Sequence, residues 1–213
     1  MLERISRREW VDLLVAWVAI SLAFAIIFLR DAGRVDPVLA LLFIGIALVT
    51  VGIGFIAHEM AHKFTAIRYG FWAEFRKDNI MLLVAVALAA LVGVVFAAPG
   101  ATVIYDNRAF GGGITREQNG RISAAGPVTN LLLCIPFAGL LVYSGFSSNL
   151  TGNISSMIGI MGLQVNAMIA AFNMLPVSVL DGKKVLAWNP AVFAALIVAA
   201  FGVLLLSFYP GVL

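Results

Sequence analysis

The chain has 213 residues, 62% of them hydrophobic and only 12% charged, with a net charge of +3 and a mean hydropathy of +1.02. Soluble domains run nearer about 45–50% apolar and about 25% charged. This balance excludes a disordered chain, a coiled coil, a nucleic-acid-binding module and an ordinary cytosolic enzyme, and it points to a polytopic membrane protein. The basic excess requires no acidic partner, because membrane proteins keep Lys and Arg at their interfaces. The single cysteine, Cys134, excludes an internal disulfide framework and lies in the apolar run LLLCIPF, where it reads as a small buried hydrophobe.

The charged N-terminus, MLERISRREW, runs into a first apolar stretch at 12–29 with no small-residue cleavage site behind it. A retained helix is expected there rather than a signal peptide. The second helix starts after Pro37, a good first-turn residue, and runs through 38–55 into HEMAHKFTAIRYG. A third apolar run covers 80–98 and ends at Pro99-Gly100. The β-branched and aromatic stretch ATVIY (101–105) then reads as a strand, followed by turn chemistry in DNRAFGGG. Further helices are expected from about Asn119 to Gly145, over 154–173 and over 190–209, against the roughly 20 apolar residues a span requires. The expected fold is therefore an all-α polytopic membrane protein. It would have about six membrane-embedded helical segments and a short β-hairpin or re-entrant element around 99–118. There is no repeat, and no polar stretch is long enough for a soluble accessory domain. One domain over 1–213, with its core at 38–189, is expected.

Orientation is weakly marked. Arg4, Arg7 and Arg8, with Lys63, Arg68, Arg76 and Lys77, favour a cytoplasmic N-terminus, while Arg108, Arg116, Arg121, Lys183 and Lys184 dilute the bias. A multi-pass protein of the cell membrane is expected, with the lipid bilayer as its surroundings.

The two histidines, His58 and His62, stand four apart with Glu59 between them, in HEMAH. On a helix, positions i and i+4 share a face. Two imidazoles there can hold one Zn²⁺, and the Glu beside the first can reach a zinc-bound water and act as base. The motif also arises by chance, and a histidine in an apolar helix often serves only as a hydrogen-bonded core residue. Ionisable groups inside a run of some twenty apolar residues, however, are costly and are functional candidates by default. A catalytic zinc needs a third protein ligand, and no histidine remains. Of the eleven acidic residues, Glu3, Glu9, Asp31, Asp36, Glu74, Asp78, Asp106 and Glu117 fall in terminal or connecting segments, and Asp12 opens the first helix. Asp181 lies instead in the otherwise uncharged NMLPVSVLDG, directly after a membrane helix. Elimination gives His58, His62 and Asp181 as ligands of one zinc per chain, with Glu59 as catalytic base.

These pieces make the chain resemble the site-2 proteases, a family of intramembrane zinc metalloproteases. The resemblance rests on HEMAH (58–62), AAGPVTN (124–130) and NMLPVSVLDG (173–182), which fall in the family's order. It implies a zinc metalloendopeptidase that hydrolyses peptide bonds within or beside transmembrane segments of other membrane proteins. It also implies that Asn173 and Pro176 shape the segment that delivers Asp181, and that Asn173 or Asn130 binds substrate or helps stabilise the oxyanion. Both asparagines have the alternative of satisfying buried backbone groups, and Gly126-Pro127 that of shaping a helix and its close packing. Where family members often carry a second proline before Leu-Asp-Gly, this chain has Ser178 and Val179. A membrane zinc-binding or transport protein without hydrolytic activity is the alternative reading; Glu59 and the lack of internal repeats weigh against it.

One geometric demand follows. The three motifs meet near one membrane face only if an even number of crossings separates His62 from Gly126. The run 80–98 looks like one crossing, and 99–120 is too polar and Gly-rich to return as a helix. The run is therefore expected to be re-entrant or bent near Gly93, leading into the strand at 101–105. That strand is a candidate clamp for an unwound substrate segment, or else a hairpin merely packed on the helices.

Overall fold

The computed structural model describes residues 5–31, 36–93, 95, 100–105, 113–145, 153–177 and 179–209. In chain order its elements are α1 (Arg7–Asp31), α2 (Pro37–Arg68), β1 (Trp72–Lys77), α3 (Asn79–Leu91), β2 (Gly100–Tyr105), α4 (Arg116–Tyr143), α5 (Ile154–Asn173), α6 (Asp181–Trp188) and α7 (Pro190–Ser207). Five of the helices, α1, α2, α4, α5 and α7, are long and apolar enough to cross a membrane by length and composition. Beside these five, α3 is a shorter apolar helix among the described residues.

Helix boundaries follow local chemistry. Asp36 caps α2 through the Val38 N–H, with Pro37 in the first turn. Asp78 caps α3 through the N–H groups of Ile80 and Met81. Thr115 and Gln118 form a reciprocal capping box on α4. The short loop before α7 uses Asn189 as cap and Pro190 as first helical residue. Each device satisfies donors that apolar surroundings would leave orphaned.

The helix α3 has 13 residues. At 1.5 Å per residue it is about 20 Å long, short of the ~30 Å hydrocarbon core. It stops at Val92 and Gly93, whose φ of 78° a glycine adopts without strain. The Arg30 guanidinium, at the end of α1, donates to the carbonyls of Ala90 at 2.6 Å and Ala89 at 3.4 Å, and so closes the C-terminus of α3.

The strand at 100–105 is present, but its partner is upstream. The strand β2 pairs antiparallel with β1, in a register that sets Lys77 against Gly100 and Trp72 against Tyr105. The strand over WAEFRK escapes a sequence reading because its outward and inward residues do not alternate by polarity: Ala73, Glu74 and Phe75 are all buried. The pairing has a topological consequence. A chain that leaves at Lys77 is back beside it at Gly100. The two ends of this stretch thus lie side by side in the sheet, the arrangement that a re-entrant run would need. The turn expected over 106–112, and residues 94 and 96–99, lie outside the described residues.

Packing is tightest between α4 and α5, α2 and α4, and α1 and α2. A core of Phe24, Phe28, Phe43, Phe55, Phe75, Leu141, Met157 and Met161 runs through the middle of the helices. The helix α7 packs on α5 and α6 at the periphery, and its Val198 and Leu205 are exposed, as suits a lipid-facing helix. Leu83, Leu91, Leu132 and Ile135 are likewise exposed on α3 and α4.

Candidate metal centre

His58, Glu59 and His62 lie on α2, two to three turns before its C-terminus, and all three are buried. Asp181, also buried, is the first residue of α6. Its Oδ2 stands 3.4 Å from His58 Nε2 and 3.0 Å from His62 Nε2, and the two Nε2 atoms are 3.0 Å apart. Among the described residues these three side chains form a group able to hold a metal ion.

The chemistry of this triangle calls for a cation. His62 Nδ1 lies 2.7 Å from the Ile122 carbonyl, which can only accept, so that nitrogen carries the hydrogen. His58 Nδ1 faces Asn130 Oδ1 at 2.5 Å. The orientation of Asn130 is set by its amide, which donates to the Gly54 carbonyl at 3.1 Å and to Asn166 Oδ1 at 2.9 Å. Both imidazoles therefore turn an acceptor Nε2 toward an acceptor carboxylate. Three acceptors this close repel unless a positive charge sits among them. Ligand atoms at about 2.0–2.1 Å from a tetrahedral zinc are separated by about 3.3 Å, which matches the observed spacings. The donor set, two imidazoles and a carboxylate, fits zinc as well.

Two glycines make room for this arrangement. A Cβ on Gly126 would lie 2.5 Å from His62 Nε2 and 2.6 Å from His58 Nε2. The backbone of α4 thus passes directly against the ligand atoms, and Gly-Pro serves more than helix packing. Pro127 donates no N–H to the Ser123 carbonyl, one residue after the Ile122 carbonyl that receives His62. A Cβ on Gly182 would meet the Met174 carbonyl oxygen at 2.1 Å. Only glycine lets α6 start against the end of α5, and this contact sets Asp181 in place. Ser178, in the stretch where the second proline is absent, lies outside the described residues.

The remaining described carboxylates are engaged elsewhere. Glu9 is fully buried against Lys63 and accepts the Phe75 N–H at 3.1 Å. Glu74 and Asp12 pair with Arg76, and Glu117 pairs with Arg121. The burial of Glu9 was not legible from its terminal position.

Asn130 and Asn173 part company. Asn130, fully buried, stands behind His58 rather than on the cavity wall. It holds the ring of His58, and its Asn166 partner is a residue the sequence reading missed. The signal available was an amide in an otherwise apolar helix. Removing the ring's partner, as in Asn130→Ala, is expected to weaken zinc binding about ten- to a hundredfold. Competition against a chelating indicator measures it. Asn173 lines the cavity and donates to the Ile169 carbonyl at 3.0 Å.

The cavity opens beside Glu59, Asp181 and the two histidines. Its apolar walls are Ile20 and Phe24 of α1, Phe55 of α2, and Met168, Ile169 and Phe172 of α5, and β2 forms one side with Gly100, Ala101, Thr102 and Ile104. Lys184 lines it as well, with Nζ 3.8 Å from Asp181 Oδ1.

A helical protein with five potential spans and a buried His-His-Asp centre beside a carboxylate belongs to the metalloprotein class in which the metal lies among the helices. Comparison with known proteins is more specific. The chain is 38% identical over 191 residues, 90% of each chain, to the protein described as "Putative zinc metalloprotease MJ0611" of Methanocaldococcus jannaschii. It belongs to the zinc metalloprotease family of that relative. No family model and no solved structure matches the chain.

Proposed function

We propose that the protein is an intramembrane zinc metalloendopeptidase of the site-2 protease type, which cleaves peptide bonds within or beside transmembrane segments of other membrane proteins. The observation that carries the proposal is the convergence of three metal-ligating atoms next to Glu59, with His58, Glu59 and His62 on a helix long and apolar enough to span. A transporter would have no use for a buried carboxylate adjoining the ligands but outside their triangle.

His58, His62 and Asp181 would hold the zinc. When bound, it supplies a Lewis acid that acidifies a water and polarises the scissile carbonyl. Glu59 takes the proton of the attacking water and delivers it to the leaving amine. Asn173, on the cavity wall, has a second amide N–H that can serve the carbonyl oxygen as it gains charge. An intact substrate helix hides its carbonyls in its own hydrogen bonds, so the substrate must unwind locally. The edge of β2 away from β1, which has no strand partner among the described residues, can receive such a segment by backbone pairing.

The pairing of Lys77 with Gly100 supports reading the stretch between them as re-entrant, and this bears on orientation. With no net crossing there, Arg7, Arg8, Arg68, Arg76, Lys77, Arg116, Arg121, Lys183 and Lys184 all fall on the side where α1 begins. Arg30 is at the other end of α1. The positive-inside rule then makes that side cytoplasmic, and the zinc centre lies nearer to it. The test is cleavage of a panel of transmembrane-helix substrates by the detergent-purified full chain. The expected result is cleavage that a zinc chelator stops and added zinc restores. Transport of zinc into vesicles without any cleavage would overturn the proposal.

A further inference from the structure

Three successive positions on one face of α2 meet the sheet. Phe55 packs edge-on against Phe75 of β1 with ring centroids 5.5 Å apart. One turn on, Glu59 Oε2 accepts from Thr102 Oγ1 of β2 at 2.8 Å. One turn further, the Lys63 ammonium pairs with Glu9, whose second oxygen accepts the Phe75 N–H at 3.1 Å. Lys63 also lies 5.7 Å from the ring of Trp72 in β1. Thr102 and Phe75 face each other in the sheet register. The sheet is thus pinned to α2 above and below Glu59, and Thr102 is the side chain set at that level.

We propose that Thr102 is a positioning residue for the base of the proposed protease, and that through it the strand receiving the substrate also aims Glu59. The inference rests on the reading of Glu59 given above. A carboxylate that must take a proton from water needs one oxygen directed at that water. The Thr102 hydroxyl donates to Oε2, which leaves Oε1 for the water and fixes the rotation of the carboxylate plane. Thr102 lies on β2, which borders the cavity and has no strand partner but β1 among the described residues. A substrate segment paired to β2 would therefore be held in one rigid unit with the base, and distance and orientation between them would not depend on a flexible loop.

The test compares Thr102→Val, which keeps the β-branched shape and removes the donor, with Thr102→Ser, which keeps the donor. With a cleavable transmembrane substrate, Thr102→Val is expected to lose about ten- to a hundredfold in kcat with KM little changed, and Thr102→Ser to stay within about threefold of wild type. Zinc content should be equal in all three. A second readout does not need turnover. The Glu59 carboxylate stretch, isolated as the infrared difference between wild type and Glu59→Gln, is expected to shift in Thr102→Val and not in Thr102→Ser. An unshifted band in Thr102→Val overturns the inference even if no substrate in the panel is cut. Equal losses in the two variants would likewise overturn it, because they would mean that Thr102 only fills space in the sheet.

Discussion

Replacing Glu59 with Gln is expected to reduce proteolysis at least about a thousandfold while leaving about one zinc per chain. The two halves of this result have separate causes. Gln has the shape of Glu and can still accept from Thr102, so the packing around α2 is preserved. It cannot take a proton from water at neutral pH, so the chemical step is lost. Zinc remains because Glu59 is not part of the triangle of ligand atoms formed by His58, His62 and Asp181. Parallel assays of cleavage and metal content check both halves. Loss of zinc together with activity would mean that Glu59 is a ligand, and undiminished cleavage would mean that another group is the base.

The second large effect is expected at a residue with no chemistry of its own. Gly126→Ala adds one methyl group 2.5 Å from His62 Nε2 and 2.6 Å from His58 Nε2, on the side where the ligand lone pairs converge. Within a helix, Ala is favoured over Gly by about 1 kcal/mol, so the helix itself should not weaken. The methyl must instead push α4 away from α2 or turn the imidazoles, and either movement spoils the ligand geometry. Zinc is expected to fall from about one to below about 0.1 per chain, and proteolysis to fall with it. Elemental analysis of the purified variant, with circular dichroism to confirm its helices, measures the effect. A variant that keeps its zinc would show that α4 has more freedom than this contact implies.

Some parts of the fold and site are legible in the sequence and others are not. Positions 58 and 62 share a helix face by spacing alone, and an isolated carboxylate at 181 needs a partner by burial alone; in each case a local rule carries the long-range consequence. The strand at 101–105 is marked by its β-branched residues, but its partner is not. WAEFRK buries a charged residue between two apolar ones, because Glu74 finds Arg76 two residues on, and a pattern of polarity cannot anticipate that pairing. Glu9 reads as an interfacial charge and is instead fully buried, since Lys63 compensates it across 54 positions of sequence. Asn130 and Asn166 are similar cases. An amide in an apolar helix announces that something buried must be satisfied, but only the tertiary structure tells which group it serves. Thr102 gave no signal at all, because a threonine in a strand is ordinary.

The central claim is that His58, His62 and Asp181 bind one zinc ion next to Glu59. The most direct measurement is the zinc K-edge absorption spectrum of the purified full chain, with the metal quantified on the same sample. The account predicts about one zinc per chain, bound by two imidazole nitrogens and by oxygen at about 2.0–2.2 Å, with no sulfur. A chain that binds no zinc, or a sulfur ligand near about 2.3 Å, which only Cys134 or a methionine could supply, would contradict it.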